Sequence, residues 1–185
     1  MVDARMNVLA IDQGTSATKA LVVSADGAIL GEATAPVAPR ASPGGAVEQD
    51  PQELLDSIAA AGRDALAAAR APVGAIGLGN QGETVLHWDP ASGRALSQAI
   101  SWQDRRAVEV TRELAGVADR LLELTGLPLD PYFAAPKMTW LRRRVGDGGV
   151  VTTVDAWVNR QLTGSAVTDA ATASRTMLLD LERTE

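Results

Sequence analysis

The chain opens with two short apolar runs separated by a polar segment. Residues 8–11 and 20–23 are apolar, whereas residues 12–19 are mostly small or polar. Short apolar runs rich in Val, Ile and Leu, bounded by turn residues, are typical of strands. The pattern therefore predicts a β-hairpin, and an Asp-Gly turn at residues 26–27 leads into a third strand over residues 28–34.

The following segment changes from loop to helix. Residues 36–45 are rich in Pro and Gly, have no periodicity and predict a loop. Asp50 is expected to cap a helix, with Pro51 in its first turn and Glu53 closing a capping box. Pro72 is expected to end this helix, and a buried strand is predicted over residues 73–78. The predicted apolar face of the helix consists of Leu54, Ile58, Ala61, Ala65 and Leu66.

The resulting order, β-β-β-α-β, predicts an α/β core with hairpin-linked strands and a parallel return through the helix. A doubly wound nucleotide-binding fold would instead begin strand–loop–helix with a glycine fingerprint. The chain also has no G-x-x-x-x-G-K-S/T motif. Its 185 residues fit one domain, or one and a half.

Composition narrows the class of protein. A hydrophobic content of 46% is enough for a buried core, and a net charge of −6 argues against a nucleic-acid partner. No apolar run approaches the roughly 18 residues that a membrane span needs. The absence of cysteine excludes disulfides and thiolate metal sites, and it fits a cytoplasmic protein.

The polar segment of the hairpin is the first candidate site. Gly14 allows the backbone to approach a ligand closely, and the hydroxyls of Thr15 and Ser16 can donate to phosphate oxygens. Asp12 lies where a buried strand emerges, and a carboxylate there can hold a hydrated Mg²⁺. An ordinary surface hairpin with a polar turn explains the same pattern, so both interpretations stay open.

The second candidate site is the polar loop over residues 79–84. Glu83 can accept hydrogen bonds from hydroxyls, while Asn80 and Gln81 can donate and accept. Ligands usually bind beyond the carboxyl ends of strands in open α/β sheets, and this loop and the hairpin turn are expected at the same sheet edge. The alternative is a polar turn into the next strand, residues 85–88.

Two further residues, Trp102 and Asp104, have two interpretations each. Trp102 fits the core or an apolar wall beside a ligand's carbon chain, and Asp104 fits a helix N-cap or a functional carboxylate. Tyr132 ends a rigid, proline-rich turn. His87 is expected to be structural, and the arginines at 142–144 are expected at the solvated end of a helix that begins at Pro136.

Taken in order, these segments resemble the FGGY carbohydrate kinases, and within that family they are most similar to the glycerol kinases. The motifs lie at residues 12–16, 79–84, 101–103, 130–133, 155–164 and 168–178, and they cover nearly the whole chain. The resemblance implies an actin-like, ribonuclease H-type ATPase fold. Residues 1–185 would be the N-terminal domain, incomplete at its C-terminal end. The implied reaction transfers the γ-phosphate of ATP to a polyol or sugar hydroxyl.

The resemblance also implies roles for individual residues. Asp12 would organise Mg²⁺ through water near the transferring phosphate. The residues in contact with phosphate would be Gly14, Thr15, Ser16 and Lys19. The substrate-binding residues would be Gln81, Gly82, Glu83, Trp102, Asp104 and Tyr132. Positioning and charge stabilisation contribute most to phosphoryl transfer, and these residue types provide both.

Two departures from the glycerol kinases concern the substrate. Those enzymes carry Arg at the position of Gly82; its loss removes a charge-assisted contact of about 1.5–3 kcal/mol and opens space for a larger substrate. Asp104 instead matches the W-x-D-x-R pattern of the pentulose and hexulose kinases. The segments 130–133 and 175–178 favour the glycerol kinases, so the choice between glycerol and a larger substrate stays open.

The family's general base lies in a Gly-Asp-x-x-x-Ala type segment that is expected downstream, as is the adenine-binding second domain. These 185 residues alone are therefore expected to be inactive. Three explanations stay open: a shortened form of a longer kinase, a non-catalytic sugar- or phosphate-binding or regulatory domain, and an actin-like structural protein. The loop around Glu83 argues against the last. The parent enzyme is expected to be a homo-oligomer.

Overall fold

The computed structural model describes residues 6–182, which form two compact α/β units. The first unit holds the described residues up to Pro39 together with Asp50–Asn80. The second holds Arg40–Gln49 and the described residues from Gln81 onward. The α/β class predicted from the sequence is therefore confirmed in each unit.

The first unit is a four-stranded sheet with one helix packed on it. Its elements are β1 (Val8–Gln13), β2 (Ala17–Val23), β3 (Ile29–Pro36), α1 (Pro51–Ala69) and β6 (Ala75–Asn80). The strand order is β3-β2-β1-β6, with antiparallel hairpins and a parallel pairing of β1 with β6. The predicted hairpins and the parallel return through a helix are confirmed.

Helix α1 begins as predicted but ends earlier. The Asp50 side chain accepts a hydrogen bond from the Gln52 N–H at 2.8 Å, which confirms the N-cap. The end is not at Pro72. Arg70 adopts a left-handed conformation with φ of 50°, and its N–H closes the helix on the Leu66 carbonyl. Pro72 follows this C-cap residue, so the left-handed backbone of Arg70, and not the proline, ends the helix.

The predicted apolar face of α1 packs on the sheet, where Leu54 and Ile58 are buried. Strand β3 approaches the helix so closely that only glycine fits at position 31. A Cβ on Gly31 would lie 2.4 Å from the Ala65 carbonyl oxygen. Helix and sheet are therefore in backbone contact at this point.

Strand β6 differs from the prediction of a buried strand over residues 73–78. It spans Ala75–Asn80, none of its residues is fully buried, and Ile76 is 65% exposed. The reason is its place in the sheet. Among the described residues β6 pairs only with β1, so it forms an edge. An apolar run does not distinguish an edge strand from a central one.

The second unit contains a five-stranded sheet. Its strands are β4 (Arg40–Ser42), β5 (Ala46–Gln49), β7 (Val85–Trp88), β8 (Ala99–Ile100) and β9 (Val150–Thr153), and their order in the sheet is β4-β5-β8-β7-β9. Its helices are α2 (Val108–Glu113), α3 (Ala118–Thr125), α4 (Ala134–Val145), α5 (Val154–Thr163) and α6 (Ala170–Ser174). A core cluster joins β7, β8 and α4 through Val85, Ile100, Ala134 and Leu141.

Two local predictions for this unit need correction. The Pro/Gly-rich segment at 36–45 is not all loop, because β4 pairs with β5 in a short hairpin. Helix α4 begins at Ala134 rather than Pro136. The exposed end of α4 is confirmed: Arg143 pairs with Glu113 at 2.8 Å. Within residues 6–182, no helix is both long and apolar enough to cross a membrane.

Candidate functional site

The hairpin turn between β1 and β2 is shaped by a close backbone approach. The N–H of Gly14 donates to the Ala17 carbonyl at 3.0 Å, and a Cβ on Gly14 would lie 2.9 Å from that oxygen. The buried Gln13 amide donates to the Gly14 carbonyl at 2.6 Å. Thr18, just after the turn, is bonded to Ser57 of α1 at 2.6 Å between the hydroxyl oxygens. The turn is therefore anchored on both sides.

The exposed groups at this turn fit a phosphate ligand in part. Asp12 and Ser16 are exposed, and Thr15 is half-buried. Lys19 lies opposite Asp12 in the β1–β2 register, but its ammonium pairs with Glu32 of β3 at 2.9 Å. Since that ion pair is half exposed, a phosphate would compete with Glu32 for Lys19.

The hairpin turn offers part of a ligand set for the Mg²⁺ that the resemblance implies. Within residues 6–182, no group of three or more His, Cys, Asp and Glu side chains is placed to hold a metal ion. One exposed carboxylate, Asp12, fits an ion that keeps most of its waters and takes its other ligands from phosphate. The close approach at Gly14 fits a phosphate cradle, because a side chain there would collide with the turn.

Strands β1 and β6 end together, since Gln13 is the register partner of Asn80. The hairpin turn and the start of the predicted polar loop therefore leave the same edge of the first unit's sheet, as predicted.

In the second unit, Gln81 is held by two polar neighbours. Its amide nitrogen donates to the Gln49 side chain at 2.9 Å, and its amide oxygen accepts from the Thr84 hydroxyl at 2.8 Å. These contacts bind the loop to β5 on one side and to the start of β7 on the other. They fix the backbone that carries Gly82 and Glu83.

Glu83 is buried and paired with a residue that the sequence analysis did not assign to the site. The Arg175 Nε donates to Glu83 Oε1 at 2.7 Å. Only 8% of the Glu83 side chain is exposed, against 41% of the Arg175 side chain. Gly82 lies against the stem of Arg175, since a Cβ on Gly82 would be 3.7 Å from Arg175 Cγ.

Aromatic rings complete this group of side chains. The Trp102 and Tyr132 rings meet edge to face at 5.5 Å, and Tyr132 meets Phe133 at 5.1 Å. The Arg175 guanidinium lies 5.0 Å from the Phe133 ring centre and 5.7 Å from that of Tyr132. Glu83, Trp102, Tyr132, Phe133 and Arg175 are called the Glu83 cluster below. It brings together three of the predicted substrate residues.

Asp104 is not the helix N-cap that was one of its two interpretations. Helix α2 begins after Ala107, and Asp104 is fully buried. Its carboxylate accepts from the Val47 N–H at 2.9 Å and from the Arg106 N–H at 2.9 Å, and it pairs with the Arg106 guanidinium at 2.7 Å. Arg106 also donates to Glu48 at 2.6 Å. Asp104 thus joins the β5 hairpin to the segment that carries Trp102.

Lys137, on α4, is 1% exposed and supports the backbone next to Tyr132. Its ammonium donates to the carbonyls of Pro131 at 3.0 Å and Phe133 at 2.7 Å, and also to that of Tyr132. Burial lowers the pKa of Lys137 to about 7, and the charge of Glu83 opposes this shift.

Arg175 and Lys137 belong to the site but were not predicted from the sequence. Arg175 lies within the motif at residues 168–178, but it is 92 positions from Glu83, and no local pattern pairs the two. Lys137 had a usable signal: a single lysine among the apolar positions of α4, four residues after Phe133, where its side chain can reach the carbonyls before the helix.

Comparison with known proteins supports the resemblance. The model of the FGGY family of carbohydrate kinases, N-terminal domain, matches residues 7–185. The glycerol kinase of Methylibium petroleiphilum is 42% identical over 191 residues, covering 95% of this chain and 38% of the relative. That of Methylobacterium nodulans is 43% identical, with 95% and 38% coverage. The chain thus spans about two fifths of the length of these relatives.

Solved structures agree on the fold. The crystal structure of Plasmodium falciparum glycerol kinase with ADP matches with a TM-score of 0.89 at 27% identity, covering 98% of this chain and 39% of that one. A ligand-bound xylulose kinase from Lactobacillus acidophilus matches with a TM-score of 0.90, covering 97% of this chain and 38% of that one. At 22% identity, this second match shows the fold alone.

These sugar kinases have the actin-like ATPase fold, so the fold expected from the sequence is confirmed. The chain belongs to the FGGY family of carbohydrate kinases, whose N-terminal domain its residues 7–185 match.

Proposed function

We propose that this chain supplies the polyol-binding and phosphate-binding parts of a kinase that transfers the γ-phosphate of ATP to a polyol or sugar hydroxyl. The Glu83 cluster carries the proposal. It combines a buried carboxylate, an arginine and an aromatic wall within one compact unit.

Each part of the Glu83 cluster matches a part of a polyol. The carboxylate of Glu83 accepts hydrogen bonds from hydroxyl groups, and it is more effective when buried because water competes less. The rings of Trp102 and Tyr132 pack against the carbon chain. Lys137 holds the carbonyls on either side of Tyr132 and so fixes the backbone that carries this ring.

The hairpin turn would hold the phosphates of ATP. Gly14 leaves the backbone accessible, and Thr15 and Ser16 supply hydroxyl donors. Asp12 would hold Mg²⁺ through water, and the bound ion would neutralise charge on the phosphates. The ion pair between Lys19 and Glu32 is half exposed, so Lys19 could exchange Glu32 for a phosphate oxygen.

Tyr132 provides a direct test, because it is the only tyrosine of the chain. In a protein with isotope-labelled tyrosine, a single ring signal reports on the Glu83 cluster. We expect glycerol, a tetritol or a ketopentose to shift this signal saturably. Changing Glu83 to Gln removes the charge from the hydrogen bonds to hydroxyls and is expected to weaken binding about 10- to 100-fold.

The matched control is Glu113→Gln, which removes an exposed glutamate that also pairs with an arginine, Arg143. This variant is expected to bind like the wild type. If no polyol or sugar shifts the Tyr132 signal, or if Glu83→Gln and Glu113→Gln bind equally, the assignment of the Glu83 cluster to substrate is wrong. Binding of Mg·ADP, followed by calorimetry in the wild type and in Ser16→Ala, tests the hairpin turn separately.

A further inference from the structure

Arg175 contacts Glu83, Tyr132 and Phe133, which are members of the proposed substrate-binding cluster. We propose that Arg175 is itself a substrate-binding residue, and that Glu83 and Arg175 together recognise two hydroxyl groups on adjacent carbons. This inference rests on the proposed function, because it concerns the same cluster.

The Arg175 guanidinium contacts Glu83 through its inner nitrogen, Nε. This bond measures 2.7 Å, and an arginine side chain has five N–H donors in a planar fork. Glu83, and to a smaller extent the Tyr132 hydroxyl, raise the pKa of Arg175, so both groups interact with the guanidinium. Since Glu83 is far less exposed than Arg175, the accessible charged edge of the pair is the guanidinium.

The backbone around Arg175 is fixed from both sides. Asp169 caps α6 by accepting from the Thr172 N–H at 2.8 Å. The carbonyl of Thr176 accepts from the Ala135 N–H of α4, also at 2.8 Å. Met177 is buried with φ of 63°, a left-handed conformation that is unfavourable for a residue with a side chain. The fold therefore maintains a strained connection that brings Arg175 to Glu83.

The pair suits a vicinal diol because it sets an acceptor beside donors. A hydroxyl can donate to the Glu83 carboxylate while its neighbour on the next carbon accepts from Arg175. A diol whose hydroxyls are one carbon further apart matches this arrangement less well. Gly82 has no side chain that could cover the stem of Arg175. A Cβ at this position would lie against that stem, 3.7 Å from Arg175 Cγ and 3.8 Å from Arg175 Cβ.

Two isomeric diols test this proposal on the 185-residue chain. Propylene glycol has hydroxyls on adjacent carbons, and trimethylene glycol has them separated by a methylene. Titrations followed by the Tyr132 signal are expected to show that the wild type prefers propylene glycol. The variant Arg175→Gln should lose most of this preference, with glycerol binding weakened about tenfold or more. The control Arg143→Gln breaks an exposed arginine–glutamate pair and should keep the preference.

The outcomes separate this inference from the proposed function. If the wild type binds no polyol or sugar, both are overturned. If the wild type binds glycerol but Arg175→Gln binds it equally and keeps the same diol preference, only the inference is overturned. Should Arg175→Gln unfold, Arg175→Lys decides: it keeps the positive charge without the planar fork, so the diol preference should fall while chemical denaturation shows a folded chain. An unchanged preference in that folded variant would equally refute the role of Arg175.

Discussion

Replacing Lys137 with Met removes a buried charge that the second unit holds on three carbonyl groups. Burial lowers the pKa of Lys137 from 10.5 to about 7, whereas Glu83, Asp104 and Asp130 act to raise it and Arg105 to lower it. The difference corresponds to about 5 kcal/mol, at about 1.4 kcal/mol for each tenfold change in proton affinity. The folded chain therefore binds this proton much more weakly than the unfolded chain does.

The sign of the pH dependence follows from this difference. Between about pH 7 and about pH 10.5, the unfolded chain carries the proton on Lys137 and the folded chain does not. The free energy of unfolding should consequently rise with pH across this window, and the contribution of Lys137 should be constant below it. Between about pH 7 and about pH 9 the gain is about 2 kcal/mol. The variant Lys137→Met should lack this gain.

Urea denaturation gives the free energy of unfolding of the wild type and of Lys137→Met at each pH. The difference between the two values isolates Lys137, because the contributions of groups that titrate in both proteins cancel. Isotope-labelled lysine gives an independent measurement, because Lys19 and Lys137 are the lysines of the chain. One lysine signal should titrate near pH 7 and be missing in Lys137→Met. Parallel stability curves for the two proteins, together with no lysine signal titrating near pH 7, would refute this account of the buried ammonium.

Three further predictions concern other parts of the structure. Changing Gly14 to Ala should destabilise the first unit by about 1–3 kcal/mol, measured by urea denaturation, because the new Cβ would lie 2.9 Å from the Ala17 carbonyl oxygen. Asp104→Asn should lower the free energy of unfolding by about 3 kcal/mol, since it breaks a buried ion pair with Arg106. The exposed edge strand β6 is expected to make the 185-residue chain self-associate, and Ile76→Lys should reduce this association in light scattering because it places a charge on that edge.

Each of these three variants has a matched control variant. Gly77→Ala adds the same methyl group in open space within the first unit and should change stability less than Gly14→Ala. Asp180→Asn alters a half-buried carboxylate elsewhere in the second unit and should cost less than Asp104→Asn. Val167→Lys charges an exposed apolar residue outside any strand, so equal loss of self-association in this variant would contradict a role for the β6 edge.

Local chemistry explains why much of the first unit was predictable. The hairpin of β1 and β2 follows from two apolar runs around a polar turn, and the start of α1 follows from Asp50 and its proline. These signals act between neighbours in sequence. The exposure of β6 was not predictable, because a strand's neighbours in a sheet are set by the whole chain.

By itself, the sequence determined the α/β class, from local patterns of apolar and turn residues, and the family resemblance, from short motifs spread along the chain. Together these supplied the candidate residues Glu83, Trp102 and Tyr132. Only the tertiary structure decided which charges meet. Arg175 reaches Glu83 from 92 positions away, and Lys137 turns its ammonium onto three carbonyls beside Tyr132. A buried charge needs a partner, and long-range folding selects that partner from many that the sequence offers.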